Sequence, residues 1–153
     1  SNASNICIGK SESKLTLSIF SNPYCNPCAA MHARIDALLG YGTRVQYIFT
    51  SFNEDLAKTN RNLIACYQTL PQEQFIKILR EWFAGGKREG NEFFKNFNLD
   101  ILSASVEEEF KCQQAWTKLS CLHATPTLLL DGYLLPPAYQ VEDVSYFMDL
   151  DLS

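Results

Sequence analysis

At 153 residues, 46% of them hydrophobic, the chain can bury one substantial core and needs no disulfide scaffold to fold, so one domain is the expected unit. Thirteen basic residues against seventeen acidic give a net charge of -4 with no Lys/Arg cluster, which argues against a nucleic-acid partner. No apolar run approaches a membrane span, and Ser1-Asn2-Ala3 without a starting Met reads as the scar of tag removal, so upstream sequence is expected.

The first periodic segment is a strand at Leu15-Thr16-Leu17-Ser18-Ile19-Phe20, closed by a turn at Asn22-Pro23. A helix is expected from Cys25 onward, with Cys28, Met31, His32, Ile35, Leu38 and Leu39 on its sheet-facing stripe and Gly40 and Gly42 at its end. Arg44 to Thr50 reads as a second strand. With a helix between them, the two strands should be parallel neighbours joined by a right-handed crossover. From residue 53 to about 121 the pattern is nearly all helical: Asn53 is an expected N-cap, Pro71 an expected first helical residue, and Gly85-Gly86 a stop. Ser105 and Glu108 are read as a capping box for the last long helix. Thr125-Pro126 then opens an apolar run, and Asp131-Gly132 marks a hairpin turn. The aromatic residues Trp82, Phe83, Phe93, Phe94 and Phe97 are read as core in preference to groove lining, because amphipathic stripes normally bury themselves.

Chemistry concentrates in Cys25-Asn26-Pro27-Cys28. Two intervening residues let the sulfurs close a small disulfide ring. A helix starting at the first Cys aims free N–H groups and the positive end of its dipole at that sulfur, favouring the thiolate that acts as nucleophile. The same spacing is half of a zinc site, but Cys7, Cys66, Cys112 and Cys121 supply no second close pair. A redox dithiol is the favoured reading, with structural zinc and a plain structural disulfide as the others. Cys66 and Cys112 are read as small apolar core residues. Cys112 and Cys121 would lie roughly 13 Å apart along a continuous helix, too far to pair. Cys121, close before Thr125, is a candidate accessory thiol. His32 shares the stripe facing the core, and His123 sits two residues before Thr125, where an imidazole could tune Cys25.

Taken in order, a strand, a CNPC helix, a strand, a helical stretch, Thr-Pro at the head of a hairpin and a last helix resemble the thioredoxin fold, and within it the DsbA-like branch. The resemblance implies an α/β domain over residues 14–150, with a helical insertion at about 53–121 and residues 1–13 as tag scar and N-terminal extension. It implies a protein thiol-disulfide oxidoreductase in which Cys25 attacks and Cys28 resolves. Asn26, Pro27 and Tyr24 would tune the pair, and Thr125, a cis Pro126 and His123 would face substrate. No metal and no cofactor beyond the Cys25–Cys28 disulfide is implied. The partners implied are protein or peptide thiols and disulfides. Leu135-Pro136-Pro137-Ala138-Tyr139-Gln140-Val141-Glu142-Asp143 is also similar to the ending of thioredoxin domains fused to vitamin K epoxide reductase-like membrane proteins, which implies a membrane redox partner and a periplasmic or otherwise extracytoplasmic location. Six cysteines fit an oxidising compartment.

Several residues depart from the pattern. Ile19 stands where many thioredoxins place a buried, proton-relaying carboxylate, Tyr24 replaces a common Trp, Ala33 a helix-kinking Pro, and Ala124 a common Gly. Pro27 before the second Cys is thioredoxin-like, where DsbA-like proteins have Pro-His, so the expected direction is reduction or electron relay. A DsbA-like oxidase and an inert peptide-binding module are the alternatives.

Overall fold

The structure, a computed structural model, describes residues 3–13 and 15–149. Ser1 and Asn2 of the expected scar, and the expected domain limits at 14 and 150, lie outside the described residues.

Two strands organise everything else. β2 (Thr16–Ser21) and β3 (Arg44–Phe49) pair in parallel, from Thr16 opposite Arg44 to Ser21 opposite Phe49. The connection between them is α1 (Asn26–Leu38), which buries Cys28, His32, Ile35 and Leu38, while Met31 and Leu39 are half-buried at the edge of the same stripe. A 3-10 turn at Leu39–Tyr41 follows, and Gly42, at φ 80°, closes it in the left-handed conformation that glycine adopts without strain. On the other side of β2 lies β4 (Thr127–Leu130), antiparallel, with Phe20 opposite Thr127 and Leu17 opposite Leu130. β5 (Tyr133–Leu134) completes the hairpin, whose two turn residues, Asp131 (φ 49°) and Gly132 (φ 87°), both have positive φ as a tight hairpin turn demands.

The sheet order is β1-β3-β2-β4-β5. β1 (Cys7–Gly9), antiparallel to β3, comes from residues that the sequence reading assigned to an extension. Ile8 within it and Ile6 just before it are buried, and Ala3 and Ser4 are buried as well. Three residues of strand hold barely one alternation, too little for periodicity to register.

Both faces of the central strands are covered. Leu17 and Ile19 share the main core with Val45, Tyr47 and Phe49, while Phe20 and Ile48 form a second small cluster with Ala3, Trp116 and Leu122. Between β3 and β4 run α2 (Glu54–Thr69), α3 (Gln72–Ala84), a 3-10 stretch at Gly86–Phe94 and α4 (Ala104–Ser120). Asn53 caps α2, accepting the Leu56 N–H at 2.8 Å. The cap of α4 corrects the sequence reading: Ser103 accepts the Val106 N–H, whereas Ser105 lies inside the helix and donates to Gln68 at 2.9 Å. Pro71 is likewise the N-cap of α3, one position before the expected one. Trp82, Phe83 and Phe94 are buried, with Phe93 and Phe97 packed against them. α4 is unbroken up to Cys121, so Cys112 and Cys121 do not pair. The last described element is α5 (Val144–Asp149).

Register then places the chemistry. Because Phe20 faces Thr127, the loop leaving β2 and the loop entering β4 meet at one end of the sheet, although about a hundred residues separate them.

Candidate active site

The loop out of β2 is wound by Asn22. Its side-chain oxygen accepts the Tyr24 N–H at 2.8 Å and its carbonyl accepts the Cys25 N–H at 3.2 Å. This double turn delivers Cys25 to the N-cap of α1 with extended dihedrals (φ -84°, ψ 140°). Pro27 falls in the first helical turn, where its missing N–H costs no hydrogen bond. The Cys25 sulfur accepts the Cys28 N–H at 3.1 Å, so the capping atom is the reactive atom itself.

Cys25 and Cys28 are joined by a disulfide, the only one among the described residues. Cys28 is completely buried, while Cys25 is half-buried and Asn26 and Pro27 are exposed. The Asn22 N–H points at the Cys28 sulfur at 3.4 Å. Across from them, the Thr125–Pro126 peptide bond is cis, and the Thr125 hydroxyl donates to the Cys25 sulfur at 3.8 Å. Once the disulfide is reduced, these N–H and O–H donors and the helix end face whichever sulfur carries charge, and each stabilises a thiolate over a thiol.

α2 and α3 clamp the loop from behind. The Tyr24 hydroxyl meets Thr59 at 2.8 Å, and its ring stands edge-on to Trp82 at 5.4 Å. Trp82, itself completely buried, donates its indole N–H to the Pro23 carbonyl at 2.7 Å. Lys87 reaches back from the 3-10 stretch to the Asn26 side-chain oxygen at 2.7 Å. No periodicity marks Lys87 or Thr59, and Trp82 reads in the sequence as plain core. Their roles emerge only when α2 and α3 fold over the loop.

The two histidines separate. His32 is buried, hydrogen-bonded through Nδ1 to the Tyr47 hydroxyl and stacked on Phe83 at 4.7 Å; burial pulls its pKa down to about 4, with Asp36 opposing and Arg80 assisting the shift. It is therefore neutral at pH 7. His123 is exposed, and no hydrogen bond among the described residues ties it to Cys25. Burial pushes the Cys66 thiol up to about 12, an inert core thiol, and the half-buried Cys112 is raised as well, by burial first and then by Glu109 and Glu108. Cys121 is exposed, in left-handed conformation at the end of α4. Ile19 is completely buried in β2. Among the described residues, no group of three or more His, Cys, Asp or Glu side chains is placed to hold a metal.

With the site laid out, comparison with known proteins gives a family. The sequence profile described as thioredoxin matches residues 1–149. The chain belongs to the thioredoxin family. No curated protein resembles the sequence closely enough to count as a match. Among solved structures, the domain is similar to a thioredoxin-like oxidoreductase from Silicibacter pomeroyi DSS-3, with 15% identity over 97% of this chain and 92% of that one and a TM-score of 0.74. It is similar to the thiol-disulfide exchange protein alpha-DsbA2 from Wolbachia pipientis, with 17% identity over 94% and 84% and a TM-score of 0.71. It is also similar to a periplasmic thioredoxin-like protein from Salmonella enterica serovar Typhimurium, with 16% identity over 96% and 88% and a TM-score of 0.72. At such identities the likeness speaks to the fold, and the family match together with the Cys25–Cys28 disulfide makes the chain a thioredoxin-fold thiol-disulfide oxidoreductase.

Proposed function

We propose that this thioredoxin-family domain exchanges disulfides with protein or peptide substrates through Cys25 and Cys28, working as a reductase or electron relay. The observation that carries the reading is the asymmetry of the pair: the half-buried Cys25 sits at a helix N-cap with its sulfur beside the Thr125 hydroxyl, while Cys28 is completely buried. In the reduced protein the Cys25 thiolate attacks a substrate disulfide; a Cys25–substrate S–S bond forms and the second substrate sulfur leaves as a thiolate. Cys28 then gives up its proton and attacks the Cys25 sulfur, the Cys25–Cys28 bond forms, and the first substrate sulfur leaves. Two electrons pass to the substrate. A dithiol partner must resupply them; as a relay, the reduced pair instead hands its two electrons to an acceptor disulfide, the role that suits a quinone-reducing membrane protein of the vitamin K epoxide reductase-like kind.

Several residues serve the reaction in this reading. The Cys28 and Asn22 N–H groups lower the cost of each thiolate. Thr125 offers its backbone to an extended substrate segment, and Pro126, having no N–H, lies against the sulfurs without competing for them. Tyr24, Asn26 and Pro27 form the surface around Cys25, and His123 lies on the approach to Thr125. The resemblance to a periplasmic Salmonella protein supports an extracytoplasmic location, and no helix among the described residues is long and apolar enough to cross a membrane.

One observation favours a second reading, disulfide formation. Lys87 brings an ammonium to Asn26, next to Cys25 in sequence, and positive charge there stabilises the reduced, thiolate form and so makes the disulfide more oxidising. Equilibration with glutathione separates the two. A reductase or relay is expected near the roughly -270 to -180 mV of thioredoxin and protein disulfide isomerase, and a value near about -120 mV would assign the oxidase role instead.

A further inference from the structure

A cavity of 560 Å³ opens beside the Thr125-Pro126 loop, between the end of β3 and the C-terminal half of α4. Phe20, Phe52 and Leu122 give it apolar walls, and Phe52 is left 76% exposed. Lys111, Lys118 and His123 also line it, and no Asp or Glu does, in a chain whose net charge is -4. Lys111 stands 4.0 Å from Glu107, while Lys118 has no ion pair among the described residues. Thr50 is only 5% exposed, lines the same cavity, and its hydroxyl has no hydrogen-bond partner. A buried hydroxyl without a partner is uncommon in folded proteins and is satisfied readily by a bound ligand.

The cavity is also in reach of the dithiol. His123 precedes Thr125 by two residues, roughly 7 Å of extended chain, and the Thr125 hydroxyl is 3.8 Å from the Cys25 sulfur. A second cavity near the site, which shares Phe52, is lined by Asp55 and Glu89 as well as Lys87 and Arg88 and expresses no charge preference.

We propose that the cavity between β3 and α4 is a substrate subsite for a peptide segment that carries a carboxylate beside an apolar side chain, two to four residues from the cysteine joined to Cys25. The apolar side chain lies against Phe20, Phe52 and Leu122, the carboxylate faces Lys118 and His123, and a polar group of the segment partners the Thr50 hydroxyl. This rests on the exchange reading above and names the substrate class for it.

Two disulfide-linked peptides, identical except for Glu or Lys three residues from the cysteine and next to a Leu, test the subsite. The Glu peptide should be reduced with a kcat/KM about fivefold higher at low salt, the scale of one reversed surface charge contact. The preference should shrink in high salt. K118E should bring the ratio to one or invert it, and Thr50→Val should weaken binding of a cysteine-free Glu peptide without loss of thermal stability. Equal kcat/KM for the two peptides, or an unchanged ratio in K118E, overturns the subsite and leaves the exchange reading intact. If the cysteine-free Glu peptide perturbs the NMR signals of Thr50 and Leu122 while neither disulfide peptide turns over, the subsite stands and the exchange reading falls. Neither binding nor turnover would end both.

Discussion

His32 makes the stability of the fold depend on pH in a direction and amount that can be worked out. The residue is 3% exposed, Nδ1 is engaged by the Tyr47 hydroxyl, Nε2 has no partner, and burial lowers the pKa from the ordinary 6.5 to about 4. The unfolded chain takes up a proton below pH 6.5, while the folded chain resists until about pH 4. The stabilisation is therefore fully present above 6.5 and is lost as pH falls through that interval. A gap of two to three pH units corresponds to about 3 kcal/mol in full, most of it lost between pH 7 and pH 4.5. Urea unfolding of the oxidised protein at those two pH values, for wild type and His32→Gln, isolates the effect. Glutamine does not titrate and keeps a polar partner for Tyr47. Carboxylates such as Glu142, held down to about 2 by its hydrogen bond to Arg34, titrate in both proteins and cancel. Wild type should lose about 2–3 kcal/mol more than the variant. Equal losses would mean that His32 is not buried neutral, and the reasoning from its surroundings would be refuted.

Trp82→Phe removes the indole donor and leaves the buried Pro23 carbonyl unpaired, with a smaller ring in the core; about 2–4 kcal/mol of stability should go, and a loss below about 0.5 kcal/mol in urea unfolding would show that Trp82 does not anchor the loop. Ser103→Ala should cost about 1 kcal/mol as a lost N-cap, whereas Ser105→Ala, on the exposed side of α4, should stay within about 0.5 kcal/mol; the reverse order would restore Ser105 as the cap.

What could be read from the residues alone was whatever repeats locally. The apolar run through Leu17, Ile19 and Phe20, the stripe of Cys28, His32, Ile35 and Leu38, the cap at Asn53 and the turn at Asp131-Gly132 all carry their signal within a few neighbours, and each matches the structure. The edge strand at Cys7–Gly9 is too short to show a period. The cap of α4 was misplaced because Ser103 and Ser105 both offer a hydroxyl before a helical run, and only the backbone geometry tells them apart. Glu109 shows the commonest blind spot. On a helix it reads as a solvated charge, yet it is buried and accepts the Asn5 backbone N–H at 3.1 Å, a partner 104 positions away. The clamp on the site is of the same kind: Lys87 on Asn26 and Trp82 on Pro23 join segments about sixty residues apart, and no local pattern encodes such pairings.

The central claim is that Cys25 is the attacking thiol and Cys28 the resolving one. Cys28→Ser and Cys25→Ser proteins, each reduced and then mixed with a disulfide-linked peptide, put it directly to the test by mass mapping of the products. The Cys28→Ser protein should accumulate one peptide, bound to Cys25, and the Cys25→Ser protein should accumulate none at Cys28. A peptide bound through Cys28, or through Cys121 in preference to Cys25, would contradict the account.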